Sequence, residues 1–169
     1  MWTDFDVEGY VEDLAPYARN GELTVERARG PVWESLRRHI EENIEHRTEE
    51  ALAGFRRRNV GITASTLGID APVEVLTEVA QRRISFNPYP ESVRIMEELR
   101  AIGCRLYAVS NWDLLLEDVL EDLDWIGYFD AVIASAVVGV EKPDCGIYEE
   151  ALRISGSPGT APLWSATTP

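Results

Sequence analysis

The chain has 169 residues, of which 45% are hydrophobic and 27% charged, a composition typical of one globular domain with room for a small insertion. Its formal net charge is −14, which argues against nucleic acid or an anionic membrane surface as a partner. No apolar run reaches membrane-spanning length and no signal peptide is recognisable. Cys104 and Cys145 form no CxxC pair, so the sequence predicts a cytoplasmic protein with reduced thiols.

Residues 7 to 85 have the apolar spacing of helices throughout. The first predicted helix carries Val7, Tyr10, Val11 and Leu14 on one face. Thr24 is predicted to begin the second helix, in which Gly30-Pro31 is expected to cause a break or kink. Thr48 is predicted to cap a third helix, and another is predicted to follow Pro72.

The pattern changes after residues 86–90, a proline-containing segment that we interpret as a linker. Helices are predicted at 91–102, 113–123 and 144–154, and short buried strands at 105–109 and 130–134. This alternation indicates an α/β fold with a parallel sheet covered by helices. The last fifteen residues, 155–169, contain no charged side chain and are predicted to be disordered.

Three polar residues are predicted to meet at the edge of this sheet, where ligands bind in such folds. Ser110 and Asn111 follow the first strand at the start of a helix, a position suited to binding an anion. Lys142 lies in the loop after the second strand, and it is the only lysine among 16 basic residues. Together they could hold a phosphate or a nucleophilic carboxylate, although a strand that ends in Ser-Asn is more often a simple helix cap.

The two histidines are a weaker candidate for a metal site. His39 and His46 are seven positions apart, which separates them by about 10.5 Å along a helix, too far to share one metal ion. Glutamates surround both positions, so we expect a solvated helix face.

The segments 109–113 (VSNWD), 128–135 (YFDAVIAS) and 139–144 (GVEKPD) closely resemble the second and third motifs of the haloacid dehalogenase-like (HAD) hydrolase superfamily. The resemblance implies a Rossmann-like core with an α-helical cap, as in the subclass that inserts its cap between the first two motifs. It assigns 1–86 to the cap, 87–154 to a partial α/β core and 155–169 to a tail.

The same resemblance implies covalent chemistry at an aspartate, whose ester intermediate is then hydrolysed by water. It implies that Ser110 holds the transferred phosphoryl group and that Lys142 offsets developing negative charge, with Asn111 beside them at the phosphate. Phosphatases of the family use Mg²⁺, whereas its 2-haloacid dehalogenases attack carbon and need no metal ion.

The family's first motif, Asp-x-Asp, has one candidate in Asp4-Phe5-Asp6. Only three residues precede it, so we expect no strand to support it, and the alternative is a helix cap at Asp6. No acidic pair corresponding to the fourth motif is found, and the core is therefore expected to be truncated.

Three functions remain open at this point. The first is a phosphatase of a small phosphorylated metabolite, and the second is a 2-haloacid dehalogenase; the partner would be a phosphate ester or a haloacid. The third is an inactive fragment or binding module that retains the family's fold. The sequence leaves the substrate and the oligomeric state undetermined.

Overall fold

The computed structural model describes residues 1–19 and 23–156, and it is a mostly helical α/β structure. The chain divides into two compact units, one comprising Thr3–Asn87 and the other beginning at Pro88. The predicted tail lies outside the described residues except for Ser155 and Gly156. Within the described part, no helix combines the length and apolarity that a membrane span requires.

The first unit contains four helices and one pair of strands. In chain order these are β1 (Trp2–Phe5), α1 (Val7–Leu14), α2 (Val25–Glu42), α3 (Glu49–Leu67), α4 (Val73–Arg82) and β2 (Ile84–Asn87). Short polar side chains cap three of the helices. Asp6, Thr24 and Thr48 each accept a hydrogen bond from a backbone N–H three residues on, which confirms the cap predicted at Thr48 and the helix start predicted at Thr24.

The structure corrects two predictions for this unit, the missing strand at Asp4 and the break at Pro31, whereas the alternative kink at Pro31 stays a prediction. A strand does support Asp4, because β1 pairs with β2 from the far end of the unit; periodicity cannot detect so short a strand, whose partner is distant in sequence. Pro31 does not end the second helix, since α2 continues through it to Glu42. Ala28 and Val32 on either side of Pro31 are buried in the core, and this packing offsets the backbone hydrogen bond that proline cannot donate.

A cluster of apolar side chains from all four helices and from β1 forms a core in the first unit. Leu14, Ala28 and Leu67 are at most 2% exposed, and they pack together with residues such as Tyr10, Val32, Val60, Leu76 and Val79. Burial also raises the pKa of Tyr10 to about 12, because the phenolate would lose its hydration. Apolar residues at helical spacing on all four helices thus contribute to one shared cluster.

The second unit contains the predicted helix–strand alternation. Its elements are α5 (Ser92–Ala101), β3 (Tyr107–Ser110), α6 (Leu116–Asp122), β4 (Ala131–Ala134), α7 (Ser135–Val138) and α8 (Gly146–Ser155). Strands β3 and β4 are parallel, with Tyr107 opposite Ala131 and Ser110 opposite Ala134. The predicted parallel sheet is confirmed, although β3 begins and ends slightly later than predicted.

The sheet of the second unit is fixed by apolar packing on one face and by an acid at its amino end. Ile133 packs with Ile147 and Ala151 of α8. Asp130 accepts a hydrogen bond from the Leu106 backbone N–H at 2.9 Å and pairs with Arg100 at 2.6 Å. Asp130 and Arg100 thus lie at the amino end of the strands, and the polar loops that carry Asn111 and Lys142 follow their carboxyl end.

Both histidines contact an aromatic ring, so the predicted solvated face is wrong. The His46 ring stacks on Phe55 with centroids 4.4 Å apart, and the His39 ring is 5.6 Å from Phe55. His46 lies just after the short 3₁₀ turn that follows the end of α2 at Glu42. Extrapolation of one continuous helix omits this turn and therefore misplaces the His46 side chain.

Candidate active site

Ser110 is the last residue of β3 and lies opposite Ala134, the last residue of β4. Because the strands are parallel, the segments that follow them leave from the same edge of the sheet. Asn111 follows β3 directly, whereas the loop containing Lys142 follows α7. The register therefore places the predicted site residues on loops at one edge.

Asn111 connects these two loops through its side chain. Its Oδ1 accepts a hydrogen bond from the Lys142 backbone N–H at 2.7 Å, and its Nδ2 donates to the Lys142 carbonyl at 3.0 Å. This Asn111–Lys142 pair occupies both polar atoms of the amide. The side chain therefore holds the lysine loop against the end of β3.

The Lys142 ammonium points toward the same strand end. Its Nζ donates to the carbonyl oxygen of Val109 at 3.2 Å, and Val109 directly precedes Ser110 in β3. Both Lys142 and Ser110 are half-buried. A compact cation thus lies at the end of the strand whose last residue is Ser110; that the two side chains hold one anion stays a prediction. An ammonium has three protons, so the contact with Val109 leaves donors for an anion.

Turns on either side of Lys142 set the path of its loop. Gly139 ends α7 with a φ of 83°, a left-handed conformation that glycine adopts without strain. Asp144 accepts a hydrogen bond from the Gly146 backbone N–H at 2.8 Å at the start of α8. The loop is therefore anchored on both flanks of the lysine.

Ser135, to which the sequence analysis assigned no role, is a further polar residue at this edge. It is fully buried, and its Oγ accepts a hydrogen bond from the Trp112 backbone N–H at 3.0 Å. The only sequence signal was its position directly after an apolar strand. A serine there is equally typical of a helix start, so the residue type alone could not reveal the contact.

The Asp-x-Asp candidate lies in the first unit, and its two acids have different contacts. Asp6 caps α1 through Gly9 and pairs with Arg83 at 2.9 Å. The exposed Asp4 accepts a hydrogen bond from the Phe5 backbone N–H at 2.9 Å. The predicted alternative role of Asp6 as a helix cap is thus confirmed.

Arg83 links this helix start to a second acid on α1. Its guanidinium contacts Asp13 at 2.7 Å as well as Asp6. The hydrogen bond from Arg83, together with one from Arg82, holds the pKa of Asp13 below its ordinary value, because both cations favour the ionised carboxylate. These contacts explain how α1 and the end of α4 are joined.

The metal ion implied by the phosphatase resemblance has no matching ligand set in the described part of the chain. Within residues 1–19 and 23–156, no three His, Cys, Asp or Glu side chains gather closely enough to hold a metal ion. Mg²⁺ prefers several oxygen ligands, usually including carboxylates. The described residues of this chain do not fit that requirement, and we derive no step through a metal.

Two characterised proteins are similar in sequence to this chain. A glyceraldehyde 3-phosphate phosphatase of Methanothermobacter thermautotrophicus is 30% identical over 105 residues, covering 56% of this chain and 44% of that protein. An (S)-2-haloacid dehalogenase of Pseudomonas putida is 28% identical over 117 residues, covering 69% and 49%. The chain spans less than half the length of the curated relatives it matches.

The fold comparison points the same way. The structure of L-2-haloacid dehalogenase from Xanthobacter autotrophicus matches with a TM-score of 0.55 at 22% identity, covering 92% of this chain and 62% of that one. This likeness supports a Rossmann-like core with a helical region. The model of the haloacid dehalogenase-like hydrolases matches residues 5–161, and the chain therefore belongs to the haloacid dehalogenase-like hydrolase family.

Proposed function

We propose that the chain is a phosphatase of a small phosphorylated metabolite, with its phosphoryl-binding residues at the carboxyl end of β3. The observation that carries the proposal is the position of the Lys142 ammonium at the end of β3. Its Nζ lies 3.2 Å from the carbonyl oxygen of Val109, the residue that precedes Ser110. The phosphatase from Methanothermobacter thermautotrophicus supports the same activity.

Each site residue has a distinct proposed role. Lys142 neutralises the charge that develops on the phosphoryl oxygens, as a compact ammonium can do at a crowded site. Ser110 donates its hydroxyl proton to one of those oxygens. Because the amide of Asn111 already binds the Lys142 backbone, that side chain positions the lysine, and any contact of Asn111 with phosphate would come from its backbone N–H.

The family resemblance implies an aspartate nucleophile, and Asp4 is the candidate in the Asp-x-Asp segment. In the chemistry that the resemblance implies, the nucleophilic carboxylate attacks phosphorus, displaces the alcohol and forms an aspartyl phosphate. Water would then cleave the P–O bond, which releases phosphate and regenerates the carboxylate. Asp6 would be the corresponding general acid, but its bonds to Gly9 and Arg83 suit a helix cap better.

The second candidate function is a 2-haloacid dehalogenase. The (S)-2-haloacid dehalogenase of Pseudomonas putida matches more of this chain than the phosphatase does. The same Lys142 ammonium would then face the carboxylate nucleophile or the substrate carboxylate. Dependence on Mg²⁺ separates the candidates, since only the phosphatase is expected to need the metal ion.

The remaining predictions about context stay predictions. A cytoplasmic location and a small phosphate ester or haloacid as the partner follow from the sequence and the family. The division into a cap at 1–86 and a core at 87–154 is likewise our proposal, and the compact units themselves meet at residues 87 and 88.

The decisive experiment compares hydrolysis of p-nitrophenyl phosphate and of 2-chloropropionate, each with Mg²⁺ and with EDTA. We expect phosphatase activity that falls by about 10²- to 10³-fold in Lys142→Ala, with a marked loss also in Ser110→Ala; the Mg²⁺ dependence that the family resemblance implies would need metal ligands from outside the described residues. Arg153→Ala is the matched control, because Arg153 is a cation of the same unit paired with Glu150 on α8. Metal-independent release of chloride would favour the dehalogenase.

A third outcome would contradict both enzymatic candidates. If the folded chain hydrolyses neither compound, the phosphatase proposal fails. Binding of inorganic phosphate that disappears in Lys142→Ala would then support a module that binds anions without turnover.

A further inference from the structure

We propose that Ser135 is a positioning residue that holds the phosphate-binding loops at the ends of β3 and β4 in register. The inference rests on the proposed function of that edge and extends it to a residue that touches no substrate. Ser135 acts through the backbone of Trp112, which follows the site residues Ser110 and Asn111.

The hydroxyl of Ser135 bonds both backbone groups of one residue on the neighbouring loop. Its Oγ accepts from the Trp112 N–H at 3.0 Å and donates to the Trp112 carbonyl at 3.2 Å. The backbone N–H of Ala136 donates to the same carbonyl at 3.1 Å. The segment after β3 is therefore held to the start of α7 by three hydrogen bonds.

Burial of the Ser135 side chain makes the loss of its hydrogen bonds costly. Ser135 is fully buried, so water cannot readily replace a hydrogen bond that is removed. Its own carbonyl accepts from the Gly139 N–H at 2.7 Å, which fixes the turn that leads toward Lys142. One residue thus contacts the loop after β3 through its side chain and the turn toward the lysine through its backbone.

Hydrogen bonds and the chain itself connect Ser135 to the lysine loop. Trp112 is adjacent to Asn111, and the Asn111 amide holds the backbone of Lys142 at 2.7 and 3.0 Å. A shift of Trp112 would move Asn111 and, with it, the lysine loop. Misplacement of a catalytic group by about 1 Å can cost about 100-fold in rate.

The kinetic test compares Ser135→Ala with Ser155→Ala on p-nitrophenyl phosphate, below the melting temperature of both variants. Ser155 is a matched control, because it is also buried and its Oγ donates to the Leu152 carbonyl at 2.7 Å, near the end of α8. We expect kcat to fall by about 10- to 100-fold in Ser135→Ala with little change in KM. The control should keep wild-type kcat.

A double-mutant cycle with Lys142→Ala distinguishes positioning from a general loss of structure. If Ser135 acts through the lysine loop, Ser135→Ala should cost less than about twofold in the Lys142→Ala background. A full additional loss there, or equal effects of Ser135→Ala and Ser155→Ala, would overturn the inference.

Amide hydrogen exchange provides a readout that needs no turnover. In Ser135→Ala, peptides covering 109–113 and 139–144 should exchange faster by about 10-fold, and Ser155→Ala should leave them unchanged. A chain that lacks activity but shows this pattern refutes the proposed function and supports the positioning role. Unchanged exchange in both segments would refute the positioning role whatever the activity.

Discussion

The two units of the chain are stabilised in different ways. In the first unit, four helices share an apolar core around side chains such as Leu14, Ala28 and Leu67. In the second unit, apolar packing of Ile133 and Ile147 is supplemented at the strand ends by hydrogen bonds of Asn111 and Ser135. A core tolerates exchange of one apolar side chain for another of similar volume, whereas a hydrogen bond requires particular atoms.

This difference suggests where chemistry can be located. Apolar burial is non-directional, so the core of the first unit fixes volume but does not aim a polar group. The hydrogen bonds at the sheet edge of the second unit fix the direction of the backbone around Lys142. Substitutions of core residues in the first unit should therefore affect stability, whereas substitutions at the sheet edge of the second unit should affect both stability and activity.

The largest expected effects on stability come from truncating one fully buried side chain in each unit. Leu14→Ala and Ile147→Ala each remove a fully buried side chain, and each should destabilise its own unit by about 2–5 kcal/mol. Amide hydrogen exchange should show lost protection in Thr3–Asn87 for the first variant and after Pro88 for the second.

Ile147→Val serves as the smaller step on the same side chain and should cost about 0.5–1.5 kcal/mol. If either alanine variant lowered protection equally in both units, the separation of the two cores would be disproved.

A smaller effect is expected at the start of α3. Thr48→Ala removes the side-chain acceptor for the Ala51 N–H at 3.2 Å and should cost about 1 kcal/mol of unfolding free energy. Thr66→Ala on the exposed face of the same helix removes only a bond from its hydroxyl to the Ile62 carbonyl, and it should change stability by less than about 0.5 kcal/mol. Urea denaturation measures both, and equal losses would contradict the capping role.

The smallest effect concerns pH and the ion pairs of α1. Because Arg83 and Arg82 hold the pKa of Asp13 below its ordinary value, the carboxylate stabilises the fold above its unfolded pKa. That contribution is lost in an acidic window that begins near the ordinary value of 3.8 and extends below it, as the pH falls through the lowered folded pKa. The partly exposed site keeps the effect small.

Thermal melts across this window should therefore show a shallower loss of stability in Asp13→Asn than in the wild type. Glu12→Gln changes the neighbouring exposed carboxyl on the same helix and should retain the wild-type slope. An Asp13→Asn slope identical to the wild type would show that these ion pairs contribute nothing measurable.

Patterns confined to neighbouring residues were predicted well from the sequence. The start of α2 at Thr24, the cap at Thr48 and the two parallel strands depend on spacing along the chain, which is visible without a structure. Wrong predictions arose where distant residues intervened. β1 exists because β2 supplies its hydrogen bonds, and α2 continues past Pro31 because its neighbours are buried.

By itself, the sequence determined the α/β class, the parallel strand pair and the candidate residues Ser110, Asn111 and Lys142, because residue type and periodicity follow local rules. Tertiary structure alone decided that the Asn111 amide binds the backbone of Lys142 and that Ser135 holds Trp112. Those contacts join residues more than twenty positions apart, and which donor meets which acceptor depends on how the loops close in space.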